Sequence, residues 1–363
     1  MEKCMEPTSI SVCVIGPYKG KGGVSRSTLN MVLLYKYLGF NAKLIPSSIL
    51  VSRKIPLHFC DVIHVQGPMF LNYIKLLFQA PRSVRIITYR GWVLEEQLTK
   101  LRYMDNLSLI RRVLSTFTTI IVYLVNKFVF IPFTIHLITA VSKITAKKNK
   151  VRAIVIPNHF FKYYIEDELR RCYGFNKDDN EVWIATYVSI GGGKFLSILR
   201  LIKTILLLNK LLVNDGKKAV LLIFGKDVPR WLEKICMKYS HVIRLMGYTN
   251  DYVCYLKYSD LFIAGYTMPE LGHAVIEAVS LGVPIAKYTD NSLDEEIIDG
   301  FNGILAQHDT DMVKKIYDYV LHMKEMRDIL ARNAKETVLK RRSFMCIGNM
   351  WSMIVEKMMA WHC

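Results

Sequence analysis

The feature that most constrains the fold is an alternation of short apolar runs with longer amphipathic ones, which occurs in two successive series along the 363-residue chain. A parallel strand that is buried on both faces has a short continuous apolar sequence, and the crossover helix after it is longer and amphipathic. The alternation therefore predicts an α/β protein with two successive, mainly parallel sheets. The first series predicts strands at residues 9–15, 42–45, 61–65, 84–88, 135–141 and 152–156. The second predicts strands at residues 182–188, 219–224, 242–246, 261–264 and 284–286.

Helices are predicted between these strands, and a polar segment separates the two series. The predicted helices are residues 24–38, 194–212, 230–239, 252–258, 272–281, 310–321 and 323 onward, with a break near 341–343. Residues 157–180 are polar, aromatic and charged, which indicates a hinge between an N-terminal domain, 1–160, and a C-terminal domain, 161–344. Ligands bind at the carboxyl ends of strands in such sheets, so we expect two domains that face each other across a cleft.

The charge indicates an anionic partner. Lys and Arg outnumber Asp and Glu by 49 to 31, a net charge of +18, and residues 82–153 hold 13 basic and 3 acidic residues. Phosphate, phospholipid and nucleic acid are the candidate partners. Long aliphatic runs separate the basic residues and no nucleic-acid-binding motif is recognisable, so we expect no nucleic-acid partner. A basic nucleic-acid-binding protein stays the non-enzymatic alternative.

The apolar stretch within this basic region raises the question of a membrane. Arg112 and Lys127 enclose 14 uncharged residues, and Lys127 and Lys143 enclose 15. Neither run reaches about 18 residues, and Lys127 and Pro132 interrupt the junction, so we do not expect a membrane span. Two interpretations stay open. The stretch is a basic, apolar surface on anionic lipid, or a buried helix followed by a core strand with solvated lysines.

The cysteines and the N-terminus indicate a cytoplasmic protein. The eight cysteines include no Cys-x-x-Cys pair, which excludes the usual zinc and thioredoxin-like spacings. A chain of this size needs no disulfide to be stable, so we expect reduced cysteines. The first residues lack the basic-then-apolar order of a secretion signal.

Two glycine-rich segments precede predicted helices, where backbone amides can approach an anion. The first runs from Gly16 to Gly23 and lacks the spacing of a Walker A loop. The second runs from Gly191 to Lys194, whose ammonium group could reach a diphosphate. The alternatives are a flexible turn for the first segment and a solvated lysine for the second.

A third motif surrounds a predicted helix start at Gly272. Glu270 lies in the preceding loop, and the amides of Gly272, Ala274 and Val275 are placed to face a phosphate. Glu277 lies within an otherwise apolar helix, where a carboxylate is costly unless it is hydrogen-bonded. Its two oxygens can accept hydrogen bonds from two neighbouring hydroxyls, as on ribose. A salt bridge to a nearby base is the alternative.

With these motifs the chain resembles the retaining nucleotide-sugar glycosyltransferases of family 4, which have the GT-B fold of two Rossmann-like domains. The resemblance extends over nearly the whole length in family order. The matching segments are residues 22–26, 61–65, 138–142, 154–158, 247–248, 258–262, 272–284 and 300–304. Glu277 falls on the second glutamate of the family's Glu-x7-Glu signature.

Three positions depart from the family pattern. The first signature glutamate would fall on Pro269, so Glu270 is displaced by one residue. Ser189 stands where the family has an arginine before its phosphate-binding lysine. The family's Thr-x-His-Gly is replaced by a sequence that ends in Arg90 and Gly91, and an arginine cannot accept a proton there.

The resemblance implies transfer of a sugar from a nucleoside-diphosphate sugar to an acceptor hydroxyl with retained configuration, without a metal or an organic cofactor. It assigns catalytic roles to Lys194, Glu270 and Arg90. It assigns substrate binding to Gly22, Gly23, Gly247, Tyr248, Gly272, Ala274, Val275 and Glu277. The N-terminal domain would bind the acceptor, with helix 345–363 packed back on it, and the C-terminal domain would bind the donor.

The basic residues at 82–153 favour a membrane lipid or lipid-linked glycan as the acceptor, on the inner face of a membrane. A relative of the same fold that does not transfer, such as a nucleotide-sugar epimerase or an inactive homologue, is the alternative.

Overall fold

Contacts divide the computed structural model into two units, residues 1–159 with 342–363 and residues 160–341. The structure describes residues 10–17, 23–47, 57–67, 76, 78–91, 94, 97, 98, 101, 108–159, 169, 172, 177–187, 196–225, 228, 230–249, 251–265, 271–289 and 296–362.

The first unit is built on a six-stranded sheet in which all neighbouring strands are parallel. Its strands are β1 (Ser11–Gly16), β2 (Asn41–Pro46), β3 (Val62–Gln66), β4 (Val84–Tyr89), β5 (Leu137–Ala140) and β6 (Ile154–Val155). Its N-terminal part contributes the helices α1 (Gly23–Tyr37), α2 (Leu109–Val125), α3 (Ile131–Thr134) and α4 (Lys143–Asn149). The strand order is β2-β1-β3-β4-β5-β6.

The second unit has the same architecture, again with all neighbouring strands parallel. Its strands are β7 (Glu181–Tyr187), β8 (Lys218–Phe224), β9 (Ile243–Gly247), β10 (Leu261–Ala264), β11 (Ile285–Tyr288) and β12 (Ile304–Ala306). Its helices are α5 (Leu196–Leu212), α6 (Arg230–Lys238), α7 (Tyr252–Tyr258), α8 (His273–Ser280), α9 (Asp309–Leu321) and α10 (Met323–Ala334). The order is β12-β11-β10-β7-β8-β9. The C-terminal helix α11 (Phe344–His362) returns to the first unit.

The strands are buried because both faces of each sheet carry apolar side chains. β3, β4 and β10 are buried over their whole length, which explains their short continuous apolar sequences. In the first unit α11 packs on α1, where Trp351 is 1% exposed and contacts the ring of Tyr35. The predicted α/β class with two parallel sheets is confirmed.

Apart from α2 and α3, which lie in the apolar stretch, two of the described elements were not predicted from the sequence. Strand β12 has only three residues and is defined by its pairing with β11. Helix α4 has seven residues, with Ser142 as its N-cap and Lys150 in the left-handed region at its end. Both are too short for a periodic pattern to be visible in the sequence.

The expectation of reduced cysteines is wrong for four of them. Cys13 of β1 is disulfide-bonded to Cys60, which precedes β3, and Cys172 is bonded to Cys254 of α7. The partners are 47 and 82 residues apart in sequence. Their proximity follows from the tertiary fold, since β1 and β3 are neighbours in the sheet. Cys236 and Cys346 are free thiols.

The apolar stretch forms one helix, Leu109–Thr134, which we call the long apolar helix. It consists of α2, a π-helical turn at Asn126–Phe130 and α3. The expected interruption is therefore wrong, because the wider turn accommodates Lys127 and Pro132 without ending the helix. By length and composition this helix could cross a membrane, with a mean hydropathy of 1.7, and only 17% of its most apolar window is buried. Both interpretations therefore hold in part, because Tyr123 and Ile131 pack in the core while most of the helix is exposed.

Candidate active site

The strand order of each sheet reverses beside the first strand of its unit. In the first unit β1 lies between β2 and β3, and in the second unit β7 lies between β10 and β8. Ligands of open α/β sheets bind outside the carboxyl ends of the strands at such a reversal. The carboxyl edge of each sheet is therefore the place where functional side chains are expected.

At the carboxyl ends of the strands of the first sheet, Arg90 lies between two amide side chains. Its Nε donates to Oε1 of Gln66 at 2.7 Å, and its Nη2 donates to the same oxygen. Its Nη1 donates to Oδ1 of Asn158. Gln66 ends β3, Arg90 follows β4 and Asn158 follows β6, so the arginine connects three strand ends.

A network of buried, hydrogen-bonded polar side chains fixes the position of Gln66. Nε2 of the Gln66 amide is 2.7 Å from Nε2 of His64, whose Nδ1 is 2.9 Å from the hydroxyl of Tyr35. The hydroxyl of Thr88 is 2.6 Å from His64 and 2.7 Å from that of Thr139. Burial first, and then the charge of Arg90, hold the pKa of His64 well below its usual value. The imidazole is therefore neutral at pH 7.

The guanidinium of Arg90 forms no ion pair with a carboxylate of the described residues. Arg342, which is 1% exposed, adds a second cation by donating to the carbonyl of Asn158 at 2.9 Å. Burial lowers the pKa of Arg90 to about 9, which leaves it charged at neutral pH. A half-buried cation whose partners among the described residues are neutral acceptors is costly, and a bound anion would offset that cost. This edge is therefore suited to a phosphate or another anionic group.

His159 gives the first unit a testable dependence on pH. Its side chain is 3% exposed, and burial, together with the charge of Arg90, lowers its pKa to about 4, although a hydrogen bond to the backbone of Asn30 opposes the shift. The unfolded chain takes up this proton near pH 6.5 and the folded chain only near pH 4, so stability falls as the pH falls through this window. We expect a loss of about 2 kcal/mol from this residue between pH 7 and pH 5.

Thermal unfolding at the two pH values tests this expectation. His159→Gln should unfold with a weaker pH dependence than the parent chain, while the same change at the exposed His58 should leave it unaltered. Equal pH dependence in all three proteins would contradict the burial of a neutral His159.

In the second unit, the neighbouring strands β7 and β10 precede the segments that contain Lys194 and Glu270, to which the resemblance assigns catalytic roles. β7 ends at Tyr187 and β10 at Ala264, and the two strands pair at Ala185 and Phe262. Residues 188–195 and 266–270 follow them, so Lys194 and Glu270 lie outside the described residues. The same holds for Gly22 in the first unit, while Gly23 is the first residue of α1.

Helix α8 begins at the N-cap Gly272, which has no side chain to cap the first amides. The amide of Val275 donates to the carbonyl of Gly272 at 3.0 Å and thus already has an acceptor. The amide of Ala274, which was also assigned to phosphate binding, belongs to the first turn of α8. Amides of a first turn have no acceptor within the helix. The helix start is therefore suited to an anion through its first-turn amides.

Glu277 lies one turn further along α8. Its side chain is half-buried, on the same face as His273, rather than among the apolar side chains as the sequence indicated. The opposite face of α8 carries the buried Val275, Ile276, Ala278 and Val279. Four residues of helix span about 6 Å, so a group bound at the helix start lies within reach of this carboxylate.

Gly247 and Tyr248 lie at the end of β9. Gly247 has a φ of 62°, in the left-handed region that glycine tolerates, and its carbonyl accepts from the amide of Gly225 at 2.9 Å. This bond joins the strand ends of β8 and β9. Tyr248 is 38% exposed at the same edge.

Gln66, Asn158 and His159 were not assigned roles from the sequence. The available signal was the pair His64 and Gln66, two residues apart in an otherwise apolar strand, which places both on one face of the sheet. No group of three or more His, Cys, Asp or Glu side chains that could hold a metal ion occurs within the part of the chain that the structure describes.

Comparison with known proteins identifies the fold and a domain of the second unit. Residues 198–337, from α5 to the turn after α10, match the family model of glycosyl transferases group 1. No curated protein matches the sequence.

Solved structures share the fold over nearly the whole chain. HepE of Anabaena, in complex with UDP and glucose, has a TM-score of 0.67 at 14% identity, over 96% of this chain and 100% of that one. Sucrose-phosphate synthase of Thermosynechococcus elongatus has a TM-score of 0.67 at 14% identity, over 97% and 99%. WaaG, a glycosyltransferase involved in lipopolysaccharide biosynthesis, has a TM-score of 0.56 at 11% identity, over 95% and 99%. The fold is therefore that of the GT-B glycosyltransferases, and the domain match supports a glycosyltransferase.

Proposed function

We propose that the protein transfers a sugar from a nucleoside-diphosphate sugar to an acceptor hydroxyl with retention of configuration, as in family 4. The match of residues 198–337 to glycosyl transferases group 1 carries this proposal, because it contains α8 and Glu277. The UDP and UDP-glucose bound to HepE favour a donor whose nucleotide is UDP.

The main chemical requirement is to stabilise negative charge on the departing diphosphate. Lys194, the amides of Gly22 and Gly23, and the start of α8 are the groups that we assign to it. Glu277 accepts hydrogen bonds from the ribose hydroxyls, and Glu270 contacts the sugar. Gly247 and Tyr248 border the nucleotide.

Arg90 supplies a fixed positive charge to the sugar or its phosphate. It cannot remove the acceptor's proton, so the leaving phosphate accepts that proton in our proposal. These groups supply the needed charge themselves, and we propose that neither a metal ion nor an organic cofactor takes part.

We propose a membrane lipid or a lipid-linked glycan as the acceptor, bound by the first unit. The net charge of +10 in residues 82–153 and the exposed long apolar helix support this acceptor. WaaG, which shares the fold, is involved in lipopolysaccharide biosynthesis. Attachment to the inner face of a membrane places the protein in the cytoplasm. Disulfides are uncommon in that compartment, so this location stays a prediction.

Thermal unfolding with UDP-, GDP- and ADP-glucose tests donor binding. A ligand that binds only the folded chain stabilises it by about 2.7 kcal/mol at a hundred times its Kd, so one of the three should raise Tm by several degrees. Sodium sulfate at equal ionic strength controls for a general effect of anions.

The donor that raises Tm should then be turned over at the same rate with and without EDTA. No shift with any nucleotide sugar would contradict the proposed function. A strict need for Mg²⁺ or Mn²⁺ would contradict the assignment of the charge-stabilising groups.

A further inference from the structure

The long apolar helix has its polar and apolar faces reversed relative to a helix on the surface of a water-soluble protein. Such a helix ordinarily turns its apolar side chains to the core and its polar ones to water. Here the inward face carries Thr116, Thr119 and Asn126, which are half-buried or buried. Apart from Tyr123, Phe130 and Ile131, which contact the core, most of the apolar side chains point outward instead.

The outward side chains form one continuous stripe. It consists of Ile110, Val113, Leu114, Phe117, Ile121, Leu124, Val125, Phe128, Val129 and Phe133, all of them exposed. Their spacing of three and four residues keeps them on one side of an α-helix. From Ile110 to Phe133 the stripe extends about 35 Å at 1.5 Å per residue. A patch of this size on a soluble protein marks an interaction surface.

The π-helical turn keeps the end of the helix in this stripe. The amide of Ile131 donates to the carbonyl of Asn126, five residues back, so the turn contains one residue more than an α-helical turn. In an uninterrupted α-helix Phe133 would be rotated by about 100° from its present direction. The wider turn brings its ring, which is 76% exposed, back to the side of Phe128.

The inward face is held to the first unit by hydrogen bonds at the π-helical turn and at the last residue of the helix. Nζ of Lys127 donates to the carbonyl of Asn149 at 2.7 Å. The buried Arg85 donates through Nε to the carbonyl of Thr134 at 2.6 Å. Tyr123 and Ile131 pack in the core beside β4. The helix is therefore held alongside its unit and cannot enter a bilayer end-on without breaking these contacts.

The surroundings of the stripe are cationic. Residues 106–165 contain basic side chains and no Asp or Glu. Exposed basic residues lie in the first turn of the helix, at Arg111, and in the sequence after it, at Lys143, Lys147, Lys150 and Arg152. Each Lys or Arg near an anionic membrane strengthens the binding of the protein to it.

We propose that the outward stripe of the long apolar helix lies flat in the interface of an anionic lipid bilayer and docks the first unit on it. A second copy of the chain is a poorer occupant, because a two-fold contact would bring the same cationic surroundings face to face. The inference of docking depends only on the features of this helix. The further consequence, that the acceptor is presented from the membrane, rests on the proposed function.

The hydrogen bonds of the helix also lead to the candidate site. The backbone carbonyl of Asn149 accepts from Lys127, and the side-chain amide of Asn149 donates to the backbone carbonyl of Gly91 at 2.8 Å, next to Arg90. The docked helix and the arginine are thus attached to the same loop. A lipid headgroup at the docked face would be presented to the unit that carries Arg90.

Flotation of the full chain with vesicles tests the docking. We compare phosphatidylcholine vesicles with an equimolar mixture of phosphatidylcholine and phosphatidylglycerol, at low and high salt. The parent chain should float with the anionic vesicles, more weakly at high salt because the charge is screened. The double variant Phe117→Glu with Phe128→Glu should lower the bound fraction by about tenfold or more, because it places charge in the acyl boundary.

The matched control is Val213→Glu with Met237→Glu, which replaces two equally exposed apolar side chains of the second unit and should float like the parent chain. Tm with and without the donor is measured for every variant. An unchanged donor shift separates loss of docking from loss of the proposed function or of the fold.

Three outcomes would overturn the proposal. In the first, the parent chain does not float with the anionic vesicles. In the second, the Phe117/Phe128 variant floats as well as the parent chain. In the third, the parent chain does not float but sediments as a dimer, and the Phe117/Phe128 variant sediments as a monomer.

Discussion

Replacement of Arg90 with glutamine is expected to lower kcat/KM for the donor by about 100-fold or more, with little change in Tm. The guanidinium is held by Gln66 and Asn158 without a carboxylate among the described residues. Its charge is therefore available to a substrate anion, and each tenfold loss corresponds to about 1.4 kcal/mol of transition-state stabilisation. Release of the nucleoside diphosphate from the donor measures the effect.

The stability of the Arg90→Gln variant is expected to stay within about 1 kcal/mol of the parent chain. Removal of a half-buried charge is favourable, and it offsets the hydrogen bonds that Gln66 and Asn158 lose. The folded variant can therefore be assayed directly.

Arg85→Gln is the matched control, because Arg85 is a second buried arginine at the opposite end of β4. It donates to the carbonyls of Ala80 and Thr134, so its loss leaves buried acceptors without a donor. We expect it to lower the free energy of unfolding by about 3 kcal/mol and to change kcat/KM much less than Arg90→Gln. Wild-type activity in Arg90→Gln, or equal losses of activity in both variants, would contradict an anion-binding role for Arg90.

Replacement of Glu277 with alanine is expected to weaken donor binding by about 100-fold. A carboxylate that accepts two hydroxyl hydrogen bonds contributes about 1.5–3 kcal/mol for each of them. The side chain is half-buried on the same face of α8 as His273, and Tm without ligand is measured beside the affinity. Isothermal titration with the donor identified by thermal unfolding measures the loss.

Titration with the free nucleoside diphosphate shows which part of the donor Glu277 contacts. An equal loss for the diphosphate and for the nucleotide sugar indicates the ribose, whereas a loss for the sugar nucleotide alone indicates the sugar. Glu336→Gln, an exposed carboxylate in the segment that matches the family, is the control and should bind normally. Donor affinity within threefold of the parent chain in Glu277→Ala would contradict the assignment.

The edge of the first sheet shows how far local sequence predicts the candidate site. Arg90 was identified because it replaces a motif residue, but its partners are 24 and 68 residues away. Neither Gln66 nor Asn158 belongs to a pattern that predicts contact with an arginine. Only the order of the strands brings their carboxyl ends together. The roles of Lys194, Glu270 and Gly22 stay predictions, as does the cleft between the domains.

Helix α8 shows a similar division. The sequence predicted its start at Gly272 and a carboxylate at Glu277, because glycine and the apolar run that follows it are local signals. It placed that carboxylate among apolar side chains, whereas the structure turns it to the half-buried face with His273. A helical position fixes the spacing of side chains, but the neighbours against which the helix packs decide which face is buried.

The sequence by itself determined the two parallel sheets and the apolar and basic character of residues 82–153, because burial of a strand and the periodicity of a helix are properties of adjacent residues. Tertiary structure alone decided the disulfides, the partners of Arg90 and the outward direction of the apolar stripe. These depend on residues far apart in the chain, and an amphipathic helix has the same sequence pattern whether its apolar side meets a core or a membrane.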